Sequence, residues 1–314
     1  MGQSTELEKQ DTFGKEHPRN SQRRRTWWSV PLTLGAFGLF VWLEHRRPLR
    51  REGEPKLTRD ARNLVVAGIG ALALQLTEIT ISGRLTACVE RRKMGLLKLI
   101  RLPVWLETAL AVLLLDYTLY IWHVLTHKVP FLWRFHIVHH VDLDLDASTA
   151  LRFHFGELAL SAPWRAGQIV VIGISPLAFS IWQTLLLVSI LFHHSNVRLP
   201  IEIERRLNRV FVTPRMHGIH HSIVRAETNS NWSSGLTVWD RLHDTLLLNV
   251  PQDEITIGVP AYREPEDVKL LKILALPFGE QRPTWHLPDD GEPRREALHV
   301  PLDQLLLRNS GFRK

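Results

Sequence analysis

The chain has 314 residues, 45% of them hydrophobic, and a formal net charge of +7 at pH 7. That length allows one large domain or two ordinary ones. Its single cysteine, Cys88, excludes a disulfide framework, a Cys-ligated zinc site, an iron–sulfur cluster and a Cys-x-x-Cys redox pair. Lys and Arg cluster beside apolar runs rather than along one helical face, which fits membrane flanks and not nucleic acid.

Residues 1–25 read as a flexible basic tail, and residues 26–103 as N-terminal membrane helices. The first apolar run, Trp27 to Leu43, follows Arg23, Arg24 and Arg25 and has Trp near both ends, as an interfacial belt would. A cleaved signal peptide is the rival reading, but Glu44, His45, Arg46 and Arg47 stand where a small-residue cleavage site is needed. The second run, Leu64 to Ser82, contains Gly68-Ile-Gly70-Ala-Leu-Ala73 with Glu90 beyond it, a weak match to a dinucleotide fingerprint. The segment is apolar all round, so close helix packing in lipid accounts better for its small residues.

The third run, Val104 to Trp122, is interrupted by Glu107 and Asp116 and leads into His123. The fourth, Leu158 to Phe192, lies between His154 and His194, so it must enter the bilayer and return if both histidines reach one site. Gly173-Ile-Ser-Pro176 supplies the turn. Each arm is then roughly 24 Å of helix, slightly less than the ~30 Å hydrocarbon core, which predicts a short or tilted hairpin. Beyond Pro200 no apolar run of membrane length follows. Residues 251–314 form a C-terminal polar region with a short β-like stretch at 255–259, and 280–314 read as a second tail.

Eleven of the sixteen histidines fall between His123 and His221. Their spacing gives three boxes. His123 and His127 stand at i and i+4. His136, His139 and His140 repeat the H-x-x-H-H pattern of His217, His220 and His221, with i, i+3 and i+4 positions on one helical face. A lone histidine on an apolar face usually belongs to the core. Eight imidazoles so arranged point to metal, and they exceed what one tetrahedral zinc can use, which implies two ions. Imidazole suits Zn, Cu, Fe and Ni alike. A zinc protease would need Glu where Val124 stands, and Asp142-x-Asp144-x-Asp146 lacks the Gly and Glu of a calcium loop, having Ala147 and Phe153 there. That run reads as a polar loop.

Asp116-Tyr117 through His123 and His127, then Trp133-Arg-Phe-His136-Ile-Val-His139-His140, resemble the fatty acid hydroxylase/sterol desaturase superfamily. The resemblance extends through Asp142 to Glu157, His194-Ser-Asn196-Val-Arg-Leu-Pro200, Thr213-Pro214-Arg-Met-His217, Asn231-Trp232 and Trp239-Asp240-Arg241-Leu242. It covers residues 104–250. This chain has His243-Asp244 where the family commonly has Phe-Gly, and Phe155 and Ser233 where Pro and Gly are frequent. His243 could add a polar group to the site or sit on an exposed loop.

The resemblance implies an all-α fold: an integral membrane helical bundle with a cytosol-facing, histidine-rich metal-binding cap, in a bacterial inner membrane or an endoplasmic-reticulum-type membrane. It implies two iron ions (Fe2+) held by His123, His127, His136, His139, His140, His217, His220 and His221, with His194 and His154 completing the shell and His193 left open. Asp116, Glu157, Asn196, Asn231 and Asp240 are candidates to orient ligand imidazoles, or equally ordinary caps and loop residues. The implied activity is O2-dependent hydroxylation or desaturation of a lipid C–H bond. No haem-attachment motif or credible dinucleotide site is visible, so electrons would come from a separate cytochrome b5-like protein or a ferredoxin with its reductase. A membrane zinc or copper carrier, and a metal-free histidine pH switch, are the readings from other classes.

Overall fold

A computed structural model describes residues 29–288 and 291–295. The basic tail at 1–25, with Arg23 to Arg25 and Trp27, lies outside the described residues, as does most of 289–314. The described fold is helical, and its β pairings are isolated bridges such as Ser222 with Ile257, which takes up the β-like stretch.

Helix α1, Ser29–Arg46, comes first. It is 18 residues long and ends in Glu44, His45 and Arg46, so it falls short of the apolarity of the three helices that, among the described residues, are long and apolar enough to cross a membrane. Those three are Lys56–Lys98, Val104–Lys128 and Pro176–His194. The first of them consists of α2, Lys56–Leu74, a π-helical turn at Gln75–Ile79, and α3, Thr80–Arg92. At 19, 5 and 13 residues these pieces total on the order of 55 Å of helix, far more than the ~30 Å core. The excess lies at both ends: α3 runs ten residues past the predicted apolar run, through Arg84 to Arg92, and α2 starts eight residues before it because its polar turns belong to the cap. There Arg59 is fully buried and pairs with Asp146, and Asn63 Nδ2 donates to Asp142 at 2.8 Å.

Helix α4, Val104–Lys128, and α5, Pro130–His140, follow, with Pro130 at the first turn of α5. The predicted hairpin is α6, Phe155–Ile172, and α7, Pro176–His194. Gly173 ends α6 in the left-handed region (φ 87°), and the Ser175 hydroxyl accepts from Ala178 N to cap α7. Gly95 (φ 96°) crosses this turn so closely that a Cβ on it would lie 2.4 Å from the Gly173 Cα. The core at this end is Val89, Ala111, Leu115, Ile169, Ile174, Phe179 and Trp182.

At the other end the chain builds the cap from α8, Ile201–Leu207, α9, Pro214–His220, α10, Arg225–Thr228, α11, Val238–Leu242, and α12, Leu270–Ala275. Val259, Tyr262 and Ile273 pack on Ile137 and Val138 of α5 and on Val141, which caps its end. The acidic run is a tether: Asp142 faces Arg59, Arg62 and Arg152, Asp144 accepts from the Gly53 and Glu54 amides, and Asp146 binds Lys56 and Arg59.

Candidate metal centre

Four helices deliver the imidazoles to one place. His123 and His127 lie in the last two turns of α4, His193 and His194 end α7, and α5 and α9 carry the two H-x-x-H-H boxes. The donor nitrogens form two groups, His123, His127, His140 and His220, and His139, His194, His217 and His221. Within each group the donor atoms lie within 4.8 Å of one another. In the second, Nε2 of His194 is 3.0 Å from Nε2 of both His139 and His217, and His221 Nε2 is 3.1 Å from His217 Nε2. In the first, the Nε2 atoms of His123 and His220 are 3.1 Å apart. The groups adjoin, because the His140 and His221 rings stack at 4.3 Å.

Sequence neighbours separate here. His139 and His140 go to different groups, and so do His220 and His221, since successive residues on a helix point about 100° apart. His217 and His221, four residues apart, share one group.

His136 belongs to neither group. Its ring lies 4.8 Å from that of His127 and 5.4 Å from that of His139, its Nε2 has no partner, and its Nδ1 is 2.8 Å from Glu157 Oε1. His154 stands apart from both groups, contrary to the expectation that it completes the shell. It caps α6, with Nδ1 accepting from Gly156 N at 2.9 Å and Nε2 donating to the Leu274 carbonyl at 3.2 Å, so both ring nitrogens are occupied. His193 packs 4.1 Å from His217 with an unpartnered Nδ1, outside the groups. His243 is exposed and meets the Tyr117 hydroxyl at 3.2 Å.

Of the five candidate orienting residues, Glu157 touches an imidazole. Asp240 works one step further out, accepting from the Trp232 and Ser233 amides at 2.8 and 3.0 Å and from the Thr245 hydroxyl at 2.7 Å. Asp116 accepts from Trp239 Nε1 and Leu236 N, Asn231 bridges Met216 and Leu247, and Asn196 pairs with the Arg50 backbone. Three ring nitrogens turned away from the groups find backbone carbonyls, His123 Nδ1 at Trp232 O (2.7 Å), His220 Nδ1 at Ser230 O (2.8 Å) and His194 Nδ1 at Ile190 O (2.8 Å), whereas Nδ1 of His139, His217 and His221 has no partner. Sequence reasoning missed these partners, because a carbonyl carries no side-chain signature.

Burial first, and neighbouring imidazoles second, hold His139, His140, His217 and His221 well below the ordinary histidine value, while burial pushes His220 down to about 3. These rings are therefore neutral near pH 7, the form that binds metal. Both nitrogens of His127 and of His140, two rings of the first group, are buried without a partner, and a cation held there gives one nitrogen of each a partner. Two sets of four imidazole donors thus fit two transition-metal ions.

Residues 108–245 match the family model described as fatty acid hydroxylase. Ornithine lipid hydroxylase OlsE of Rhizobium tropici is 32% identical over 50% of this chain and 46% of its own length. Cholesterol 25-hydroxylase of Homo sapiens is 29% identical over 43% of this chain and 48% of its own, and alkylglycerol monooxygenase of Xenopus tropicalis is 31% identical over 50% and 34%. The chain thus spans about half or less of the length of these relatives. No solved structure matches.

Proposed function

We propose that the chain, whose residues 108–245 match the fatty acid hydroxylase family model, is a membrane-bound, non-haem di-iron enzyme that uses O2 and external electrons to hydroxylate a C–H bond of a lipid. The observation that carries this reading is the pair of adjoining, four-imidazole groups at one end of the apolar helices. The relatives named above are hydroxylases and a monooxygenase, which favours hydroxylation over desaturation.

The proposed ligands are His123, His127, His140 and His220 for one iron and His139, His194, His217 and His221 for the other, with His136 beside both. The chemistry two bound irons supply is reductive activation of O2. One oxygen atom enters the C–H bond and the other leaves as water, which consumes two electrons and two protons. The protein's own part is positional. Glu157 and the carbonyls of Trp232, Ser230 and Ile190 each accept the Nδ1 proton of a ring, which directs the Nε2 lone pair inward. Burial of the rings keeps bulk water from the site.

In this reading residues 26–103 contribute membrane helices, 104–250 the metal-binding unit and 251–314 a polar cover, after a basic tail at 1–25. The histidine end faces the cytosol, where a cytochrome b5-like protein or a ferredoxin with its reductase delivers the electrons. The test has two arms. Metal analysis of purified protein should return two irons per chain, and stoichiometric zinc with metal flux would instead mark a carrier. Lipidomics of a deletion strain and a His139→Ala strain should lack the same hydroxylated species. An unchanged lipid profile in both would overturn the proposal.

A further inference from the structure

At the histidine end of α1 and α7 the chain forms a second feature that the metal centre does not use. Residues 47–50 run antiparallel to 196–198: Leu49 N donates to Asn196 O and Arg198 N to Arg47 O, both at 2.8 Å, and Pro48 bridges Val197. Buried Glu44 locks this clip from beneath, its Oε1 accepting from Asn196 N at 2.8 Å and Ala147 N at 2.7 Å. Two segments far apart in sequence are thereby held in fixed register. Arg46, Arg47, Pro48, Arg198, Leu199 and Pro200 surround a concavity of about 440 Å³.

Three arginines therefore line one small, open site, with the Arg198 guanidinium also donating to the Leu49 carbonyl at 3.5 Å. The neighbouring carboxylates are engaged elsewhere: Glu44 with the two amides, Glu202 with Arg205 at 3.6 Å, and Glu204 with Arg215 at 2.7 Å. Among the described residues no ion pair joins Arg46, Arg47 or Arg198 to a carboxylate. Such convergence of like charge is unfavourable unless an anion offsets it, and planar guanidinium groups match the oxygens of a phosphate.

The surroundings say which anion. The Arg46 guanidinium lies 5.6 Å from the ring centre of Trp42, which is 54% exposed, a pairing suited to the headgroup level of a bilayer. Below it on the same face of α1, Leu32 and Leu39 are each 50% exposed, an apolar surface along which an acyl chain can lie. Charge above and apolar surface below match the two parts of one amphiphile.

We propose that Arg46, Arg47 and Arg198 form a binding site for the phosphate of an anionic glycerophospholipid, whose chains run along α1. The site is independent of the metal chemistry and binds lipid whether or not iron is present.

Native mass spectrometry of the full chain in neutral detergent tests this, with phosphatidylglycerol, phosphatidylcholine and inorganic phosphate as probes. Wild-type protein should retain phosphatidylglycerol in preference to phosphatidylcholine. The variant R46Q/R47Q/R198Q should lose roughly fivefold in affinity for each arginine removed. The control R91Q/R92Q/K93Q removes three charges at the end of α3 and should retain the lipid as the wild type does. Equal retention by the arginine-site variant, or equal loss by the control, would overturn the proposal. So would displacement of the lipid by millimolar inorganic phosphate, which would mark a site for the free anion. Arg47→Gln and Arg198→Gln singly, each with a partial loss, carry the same test if the triple variant does not fold.

Discussion

The carboxylate of Glu157, on the first turn of α6, lies 2.8 Å from Nδ1 of His136 on α5. This is the sole direct contact found between a candidate ligand ring and a carboxylate in the described site. It fixes the ring's tautomer and raises its basicity at Nε2. Glu157→Ala should lower metal affinity or turnover roughly 10- to 100-fold, with Glu157→Gln in between because its amide oxygen still accepts the proton. Metal content after dialysis against a graded chelator, alongside product formation, checks this; an alanine variant with wild-type retention would count against it.

Asp240 touches no imidazole, yet it holds the loop whose carbonyl at Trp232 receives His123 Nδ1. Hydrogen bonds to charged groups contribute about 1.5–3 kcal/mol each, so Asp240→Ala should lower the thermal midpoint and loosen metal in the His123 group before the other. Asp240→Asn keeps one acceptor oxygen and should recover part of both.

The two groups predict divisible metal loss. His127→Ala and His221→Ala remove a ring from different groups, so each should reduce bound metal by about one ion per chain, and together they should remove both. Elemental analysis of the purified variants gives the count. Loss of both ions from either single variant would show that the groups fill as one unit.

Turn crossing at the far end is a packing matter remote from the metals. A Cβ at Gly95 would meet Gly173 backbone atoms at 2.4 Å, and both glycines have positive φ. Gly95→Ala should cost at least the ~1–2 kcal/mol of left-handed strain, and more from the clash. Gly167→Ala on α6, with nothing within 4 Å of its added Cβ, should be neutral or stabilise by up to ~1 kcal/mol. Thermal unfolding in one detergent compares them.

Arg59 is the buried cation facing Asp142 and Asp146. Arg59→Met leaves those carboxylates short of a partner, and breaking a buried pair in this way costs about 3–5 kcal/mol. The same change at exposed Arg47 should fall within about 0.5 kcal/mol. Urea or thermal melts of the two variants give the comparison.

Helix type, the hairpin at Gly173 and the imidazole boxes were all legible along the chain, because apolar periodicity, a Gly-x-Ser-Pro turn and i, i+3, i+4 spacing are local properties. Local chemistry cannot say where a ring ends up. The family resemblance implied His154 as a ligand, and the turn onto α6 spends both of its nitrogens on backbone groups instead. Asp142, Asp144 and Asp146 looked like a loop, and they clamp a helix that begins about 90 residues earlier. The assignment of His139 and His140, and of His220 and His221, to opposite groups depends on how α5 and α9 are rotated against α4 and α7. That rotation is set by long-range packing, such as Ile137 and Val138 against Val259 and Ile273, so only the tertiary structure decided which four rings share a centre.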